Sequence, residues 1–148
     1  MRIMWVVLML LAGCAKPDSF DPDFYDTNAS PYSYQDFKGK WLVINYWATW
    51  CAPCIKEIPE LIELDENNLD VAVLGVNFDA PTGDDVKRDI DKMKITFPVM
   101  QKSPHEYFGI ELPEVLPTTL LVSPEGILET ILIGPQTQES LLAAMDES

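Results

Sequence analysis

Residues Lys40-Trp41-Leu42-Val43-Ile44-Asn45-Tyr46-Trp47 form a nearly unbroken run of apolar, β-branched and aromatic side chains, and Cys51-Ala52-Pro53-Cys54 follows after only three residues. A strand with one wet face would alternate polar and apolar residues. This one does not, so both of its faces must be covered. Behind it, Cys51 to Asn67 carries apolar residues at Ile55, Ile58, Leu61 and Ile62 and acids at Glu57, Glu60 and Glu63, the pattern of a helix with one buried stripe. A doubly covered strand feeding directly into an amphipathic helix restricts the chain to a layered α/β architecture.

The remaining pattern agrees. Val71 to Phe78 reads as a second buried strand, and Asp84 to Lys94 as a helix with Val86, Ile90 and Met93 on one face. Short strands are expected at Phe97 to Met100 and Thr118 to Val122, with Ser123-Pro124-Glu125-Gly126 turning the chain into Ile127 to Ile133. Gln136 to Met145 closes with a helix whose Leu141, Leu142 and Met145 face inward. The sum is an α/β sandwich around one central mixed sheet flanked by helices. With 148 residues, 47% of them apolar, the chain is one domain's worth and can bury a core of its own. A net charge of −14 argues against nucleic acid as a partner, because no basic surface is available for phosphates.

The chemistry is expected where the first strand meets its helix. Unpaired N–H groups and the positive end of the helix dipole favour a thiolate over a thiol, so Cys51 at the tip is the candidate nucleophile. Cys54, one turn inside, is placed to attack a mixed disulfide on Cys51 and release the product. Pro53 suits the first helical turn, where a missing N–H costs nothing. The same spacing could be half a zinc site, but no second cysteine pair exists and His105 is the only histidine. No metal is expected, and no cofactor beyond the redox-active Cys51-Cys54 disulfide.

The segment Asn45-Tyr46-Trp47-Ala48-Thr49-Trp50-Cys51-Ala52-Pro53-Cys54, with Lys56-Glu57-Ile58-Pro59 behind it, resembles the thioredoxin superfamily, and within it the extracytoplasmic TlpA, ResA and DsbE-like branch. The likeness runs from about Tyr34 to Met145 and implies a thioredoxin-like fold. Leu116-Pro117-Thr118-Thr119 matches that family's cis-proline segment, which lies beside the cysteines and pairs with substrate backbone. The resemblance thus implies a cis Pro117, with Leu116, Pro117, Thr118 and Trp50 as substrate-binding residues and Trp50 shielding the disulfide. Trp47 reads as core, and Pro59 matches the family's helix-kinking proline.

Two departures matter. Asn45 stands where cytosolic thioredoxins place a buried aspartate, and an amide cannot take up a proton. The branch has a glutamate three residues after the second cysteine, which is Glu57 here and shares a helix face with Cys54. Glu57 is therefore the candidate general acid/base, against the alternative of a solvated helix face shared with Glu60 and Glu63. The other departure is the long Ile110-Glu111-Leu112-Pro113-Glu114-Val115-Leu116 stretch before Pro117, which makes Glu114 a second candidate acid. Two other classes compete with an oxidoreductase. A copper(I)-binding module could use both thiolates, but such carriers resemble this chain less, with a wider cysteine spacing and a further histidine. A peroxiredoxin-like peroxidase needs a threonine where Ala48 stands.

The N-terminus reads as a targeting segment. Met1-Arg2 precedes nine apolar residues, Ile3 to Leu11, too few to span a bilayer. Leu11-Ala12-Gly13-Cys14 resembles the lipobox of bacterial lipoproteins, which implies cleavage before Cys14 and lipidation of its thiol and amine. Residues 1–13 are then a signal peptide, 14–31 a lipidated cysteine with a flexible linker, and 32–148 the thioredoxin-like domain. Ala15 in place of an aspartate implies, in a Gram-negative cell, the outer membrane facing the periplasm. The expected protein is a lipid-anchored thiol:disulfide oxidoreductase that reduces disulfides of exported proteins, in cytochrome c maturation among other settings. A membrane-bound thiol donor would be its electron source.

Overall fold

The computed structural model describes residues 21–148. A five-stranded sheet has the spatial order β5-β4-β3-β6-β7, with β3 (Trp41–Trp47) at its centre. It pairs in parallel with β4 (Val71–Asn77), which pairs in parallel with β5 (Val99–Met100). On the other side β6 (Thr118–Val122) and β7 (Leu128–Ile133) run antiparallel. Helices α1 (Ala52–Asn67), α2 (Asp84–Met93) and α3 (Gln138–Asp146) complete the mixed-sheet α/β architecture expected from the sequence.

Successive residues of β3 point to opposite faces, which sorts the core into two layers. Val43 and Trp47 pack with Ile58, Leu61 and Leu64 of α1 and with Leu141 and Met145 of α3. Leu42, Ile44 and Tyr46 pack on the other face with Leu74, Leu120, Phe24 and Tyr34. Asn45 belongs to the α1 face, an amide at the centre of an apolar layer. Gly75, beside it on β4, is required by packing: a Cβ there would meet Trp47 Nε1 at 2.9 Å and Phe97 at 3.0 Å. Trp47 is buried core as expected.

The sequence places residues 14–31 in a flexible linker, and the structure corrects this for its second half. Phe24–Tyr25 (β1) and Pro31–Tyr32 (β2) pair antiparallel. Their turn is tied by Asp26, whose Oδ1 accepts the N–H groups of Asn28 and Ser30, each at 2.8 Å. Phe24 is 6% exposed and stacks on Tyr32 and Phe37. Main-chain bonds from Thr27 to Val99 and from Gln101 to Tyr25 fix the hairpin beside β5. The signal peptide and Cys14 lie outside the described residues.

Candidate active site

Cys51 and Cys54 sit at the junction of β3 and α1 and are joined by a disulfide. Cys51 is the N-cap of α1, and its sulfur accepts the N–H of Cys54 at 3.3 Å. That donor is one of the otherwise unpaired amides of a first helical turn, so the fold supplies a stabilising partner for negative charge on Cys51. Both sulfurs lie in a largely apolar shell, with Cys54 fully buried and Cys51 nearly so. Pro53 occupies the first turn and Pro59 lies inside the helix, where it cannot donate to the Ile55 carbonyl.

Trp50 is 63% exposed beside Cys51 and is held in place rather than loose: its indole N–H donates to Asp79 at 2.8 Å and its ring meets Phe78 edge-on. The Leu116-Pro117 peptide bond is cis, in agreement with the resemblance. Leu116 is partly buried between the two core layers. Thr118 is buried, its hydroxyl donates to the Val115 carbonyl at 2.7 Å, and its main chain lies in the sheet between Tyr46 of β3 and Ile133 of β7. Glu114 is exposed on the loop before Pro117. His105 is half-buried away from the cysteines, its Nδ1 3.0 Å from the Ser103 hydroxyl.

Glu57 is 1% exposed, so it does not belong to a solvated acidic face. It lies on the same side of α1 as Cys54 and points at the sheet. Its Oε2 accepts from Asn45 Nδ2 at 3.1 Å and its Oε1 from the Gln136 main-chain N–H at 3.0 Å. Burial pushes its carboxyl up to about 7, opposed by those two hydrogen bonds and by the Thr119 hydroxyl. The same Asn45 nitrogen donates to Thr119 Oγ1 at 3.0 Å. Sequence reasoning found Asn45 and Glu57 separately but neither Thr119 nor Gln136. Thr119 adjoins the proline motif, which is a usable signal; the Gln136 contact is a main-chain donor 79 residues away and leaves no trace in residue type. Among the described residues, no group of three or more His, Cys, Asp or Glu side chains is placed to hold a metal ion.

A Cys-x-x-Cys disulfide at a strand-to-helix corner of a mixed sheet, with a cis-proline leading into the strand next to it, marks the thioredoxin-like thiol:disulfide oxidoreductases, and this chain is one of them. It belongs to the AhpC/TSA family, whose model matches residues 15–131. The chain is similar to the thioredoxin-like protein YneN of Bacillus subtilis, 31% identical over 119 residues that cover 77% of this chain and 68% of that one. It is similar to the thiol-disulfide oxidoreductase ResA of Geobacillus kaustophilus, 30% identical over 81% of this chain and 71% of the relative. The crystal structure of StoA from Bacillus subtilis superposes with a TM-score of 0.63 at 28% identity, covering 80% of this chain and 90% of that one.

Proposed function

We propose that this chain is a disulfide reductase for exported proteins, with Cys51 as nucleophile, Cys54 as resolving thiol and Glu57 as the proton acceptor for Cys54. The observation that carries this reading is the buried carboxyl of Glu57, set one turn from Cys54 and tuned to about 7. A group of that pKa can both take and return a proton near neutrality. The Cys51 thiolate attacks one sulfur of a substrate disulfide, forming a mixed disulfide and expelling a substrate thiolate. Cys54 gives its proton to Glu57, and the resulting thiolate attacks the Cys51 sulfur. The second substrate sulfur leaves, the substrate gains two electrons, one of its sulfurs takes the proton held by Glu57 and the other takes one from water, and Cys51-Cys54 is left oxidised for a dithiol donor to restore.

The direction follows from charge. A disulfide is strongly oxidising when its reduced, thiolate form is stabilised. A carboxylate near Cys54 disfavours that thiolate, which moves the pair toward the reducing side. Leu11-Ala12-Gly13-Cys14 supports lipid anchoring on the extracytoplasmic side, and Ala15 supports the outer membrane in a Gram-negative cell. No helix among the described residues is long and apolar enough to cross a membrane. The likeness to the ResA and DsbE-like branch makes apocytochrome c the substrate to try first.

Trapping tests the assignment. Cys54→Ser should accumulate a mixed disulfide through Cys51, Cys51→Ser should abolish exchange, and the wild-type pair should equilibrate near the roughly −270 mV of reductants rather than the roughly −120 mV of strong oxidants. Normal turnover by Cys54→Ser, or a potential at the oxidising end, would sink the proposal.

A further inference from the structure

The two oxygens of Glu57 are held by different kinds of group. Asn45 reaches Oε2 with a side-chain amide, which can rotate. Oε1 meets the Gln136 main-chain N–H, which can only donate. A proton arriving at Glu57 therefore goes to the Oε2 side, or the Gln136 contact breaks. Two residues earlier, the Gly134 N–H donates to the Pro117 carbonyl at 2.9 Å. The Gln136 side chain closes this turn on itself, with Nε2 donating to the Gly134 carbonyl at 3.1 Å and Oε1 accepting from the Ser140 hydroxyl at 3.0 Å. Gly134 has φ +93°, a left-handed conformation that glycine adopts without penalty, and it lets the chain leave β7 with both amides aimed inward. The contacts form a ring: Glu57 to Asn45, Asn45 to Thr119, along β6 to Pro117, across to Gly134, and through Pro135 and Gln136 back to Glu57.

We propose that Gly134-Pro135-Gln136 is a positioning strap of the redox site, a single turn that fixes Glu57 and the Leu116-Pro117 segment, which the family resemblance assigns to substrate, relative to one another. The proposal rests on the reading of Glu57 as proton acceptor and adds to it a link between that proton and substrate docking. A substrate seated on Leu116-Pro117 presses on the carbonyl that Gly134 holds, and the same turn sets the hydrogen bond that favours ionised Glu57. Linkage makes the effect mutual: the charge on Glu57 alters the hold on substrate, and substrate alters the proton affinity of Glu57. The groups facing Glu57 are Asn45 from β3, Thr119 from β6, Gln136 from the strap and Cys54 one turn back on α1. Glu60, one turn on, has its Oε2 engaged by the Gln138 N–H at 3.1 Å. None of these is a cation, so the strap is the main chain's own contribution to holding the charge.

Amide resonances of the wild type in its disulfide form, where neither cysteine titrates, test the strap without a mutation. The Gln136 and Gly134 amides should shift with one midpoint near 7, matching the Glu57 carboxyl, and Glu57→Gln should abolish both shifts. Gly134 does not touch Glu57, so its titration reports transmission through the turn. A flat Gly134 amide beside a titrating Gln136 amide would overturn the strap and leave Glu57 as proton acceptor. A Glu57 carboxyl titrating in the ordinary carboxylate range would overturn both. In kinetics, Gly134→Ala should raise KM for a disulfide-bonded peptide about fivefold and move the acid limb of the kcat profile up by about half a unit, the scale of one weakened hydrogen bond. A Gly134→Ala enzyme with both values unchanged counts against the strap; if that variant does not fold, the wild-type titration decides.

Discussion

Glu57 is a carboxyl in a place where charge is costly, and the cost has a sign that stability can read. Burial raises its folded pKa from the ordinary 4.5 to about 7, so between these values the native state holds a proton that the unfolded chain has released. Stability therefore falls as pH rises through that window. A shift of that size corresponds to roughly 3 kcal/mol of lost stability by pH 8. Glu57→Gln carries no charge to bury, so denaturant unfolding of its disulfide form should lose this dependence between pH 5 and 8. Parallel slopes for wild type and Glu57→Gln would show that the carboxyl is not strained as its burial implies. The same variant bears on the chemistry. Removing the negative charge should lower the apparent thiol pKa values, while removing the proton acceptor should slow resolution of the mixed disulfide. Thiolate absorbance against pH, followed together with single-turnover release of product, separates the two effects.

At the scale of elements, the hairpin of β1 and β2 is the part of the fold the sequence hid. Asp, Pro, Ser and Asn dominate residues 21–31, and strands of two residues carry no period that could be counted. Phe24 is anchored by aromatics that follow in sequence and by Met100 on β5, a contact no local pattern announces. Phe24→Ala should cost about 3 to 4 kcal/mol, as aromatic truncations in a core do, whereas a residue in a free linker would cost nothing; urea denaturation distinguishes the two. The central strands were legible because double coverage leaves an unmistakable apolar run. In α1 the pattern misleads in two places: Ile55 is 51% exposed, while Glu57 is buried. The reason is tertiary: α1 turns Cys54, Glu57 and Ile58 toward β3 and β6, and a hydrogen-bonded carboxyl can occupy a face that hydrophobicity alone assigns to Ile55. The cysteines and Pro117 could be found from motif and spacing. The Asn45, Thr119 and Gln136 contacts could not, because they join residues from β3, β6 and the turn before α3.

At the scale of the whole molecule, the corrected start of the folded domain changes what the proposed lipid anchor at Cys14 would allow. A linker ending at Pro31 would let the domain roam about 60 Å from Cys14. With Phe24 already in the core, no more than residues 15–23 separate Cys14 from folded chain, a reach of at most about 30 Å. Under the lipid-anchoring proposal, so short a reach would confine the domain to partners at or near the same surface, which suits a membrane-bound dithiol donor better than a soluble one. Two or more acyl chains anchor stably where one does not. The contacts described for the redox site join Asn45, Cys51, Cys54, Glu57, Thr119 and Gln136, so the anchoring proposal predicts that anchoring and catalysis separate. Cys14→Ser should leave disulfide exchange with a small dithiol donor unchanged in solution, remove the protein from the detergent phase, and leave Cys51-Cys54 oxidised in cells, because the donor is no longer within reach. Detergent partitioning, intact mass and thiol trapping of the cellular pool measure these outcomes in turn. Wild-type protein without acyl mass would end the anchoring proposal. A Cys14→Ser chain that stays reduced in cells would show instead that its electron donor is soluble.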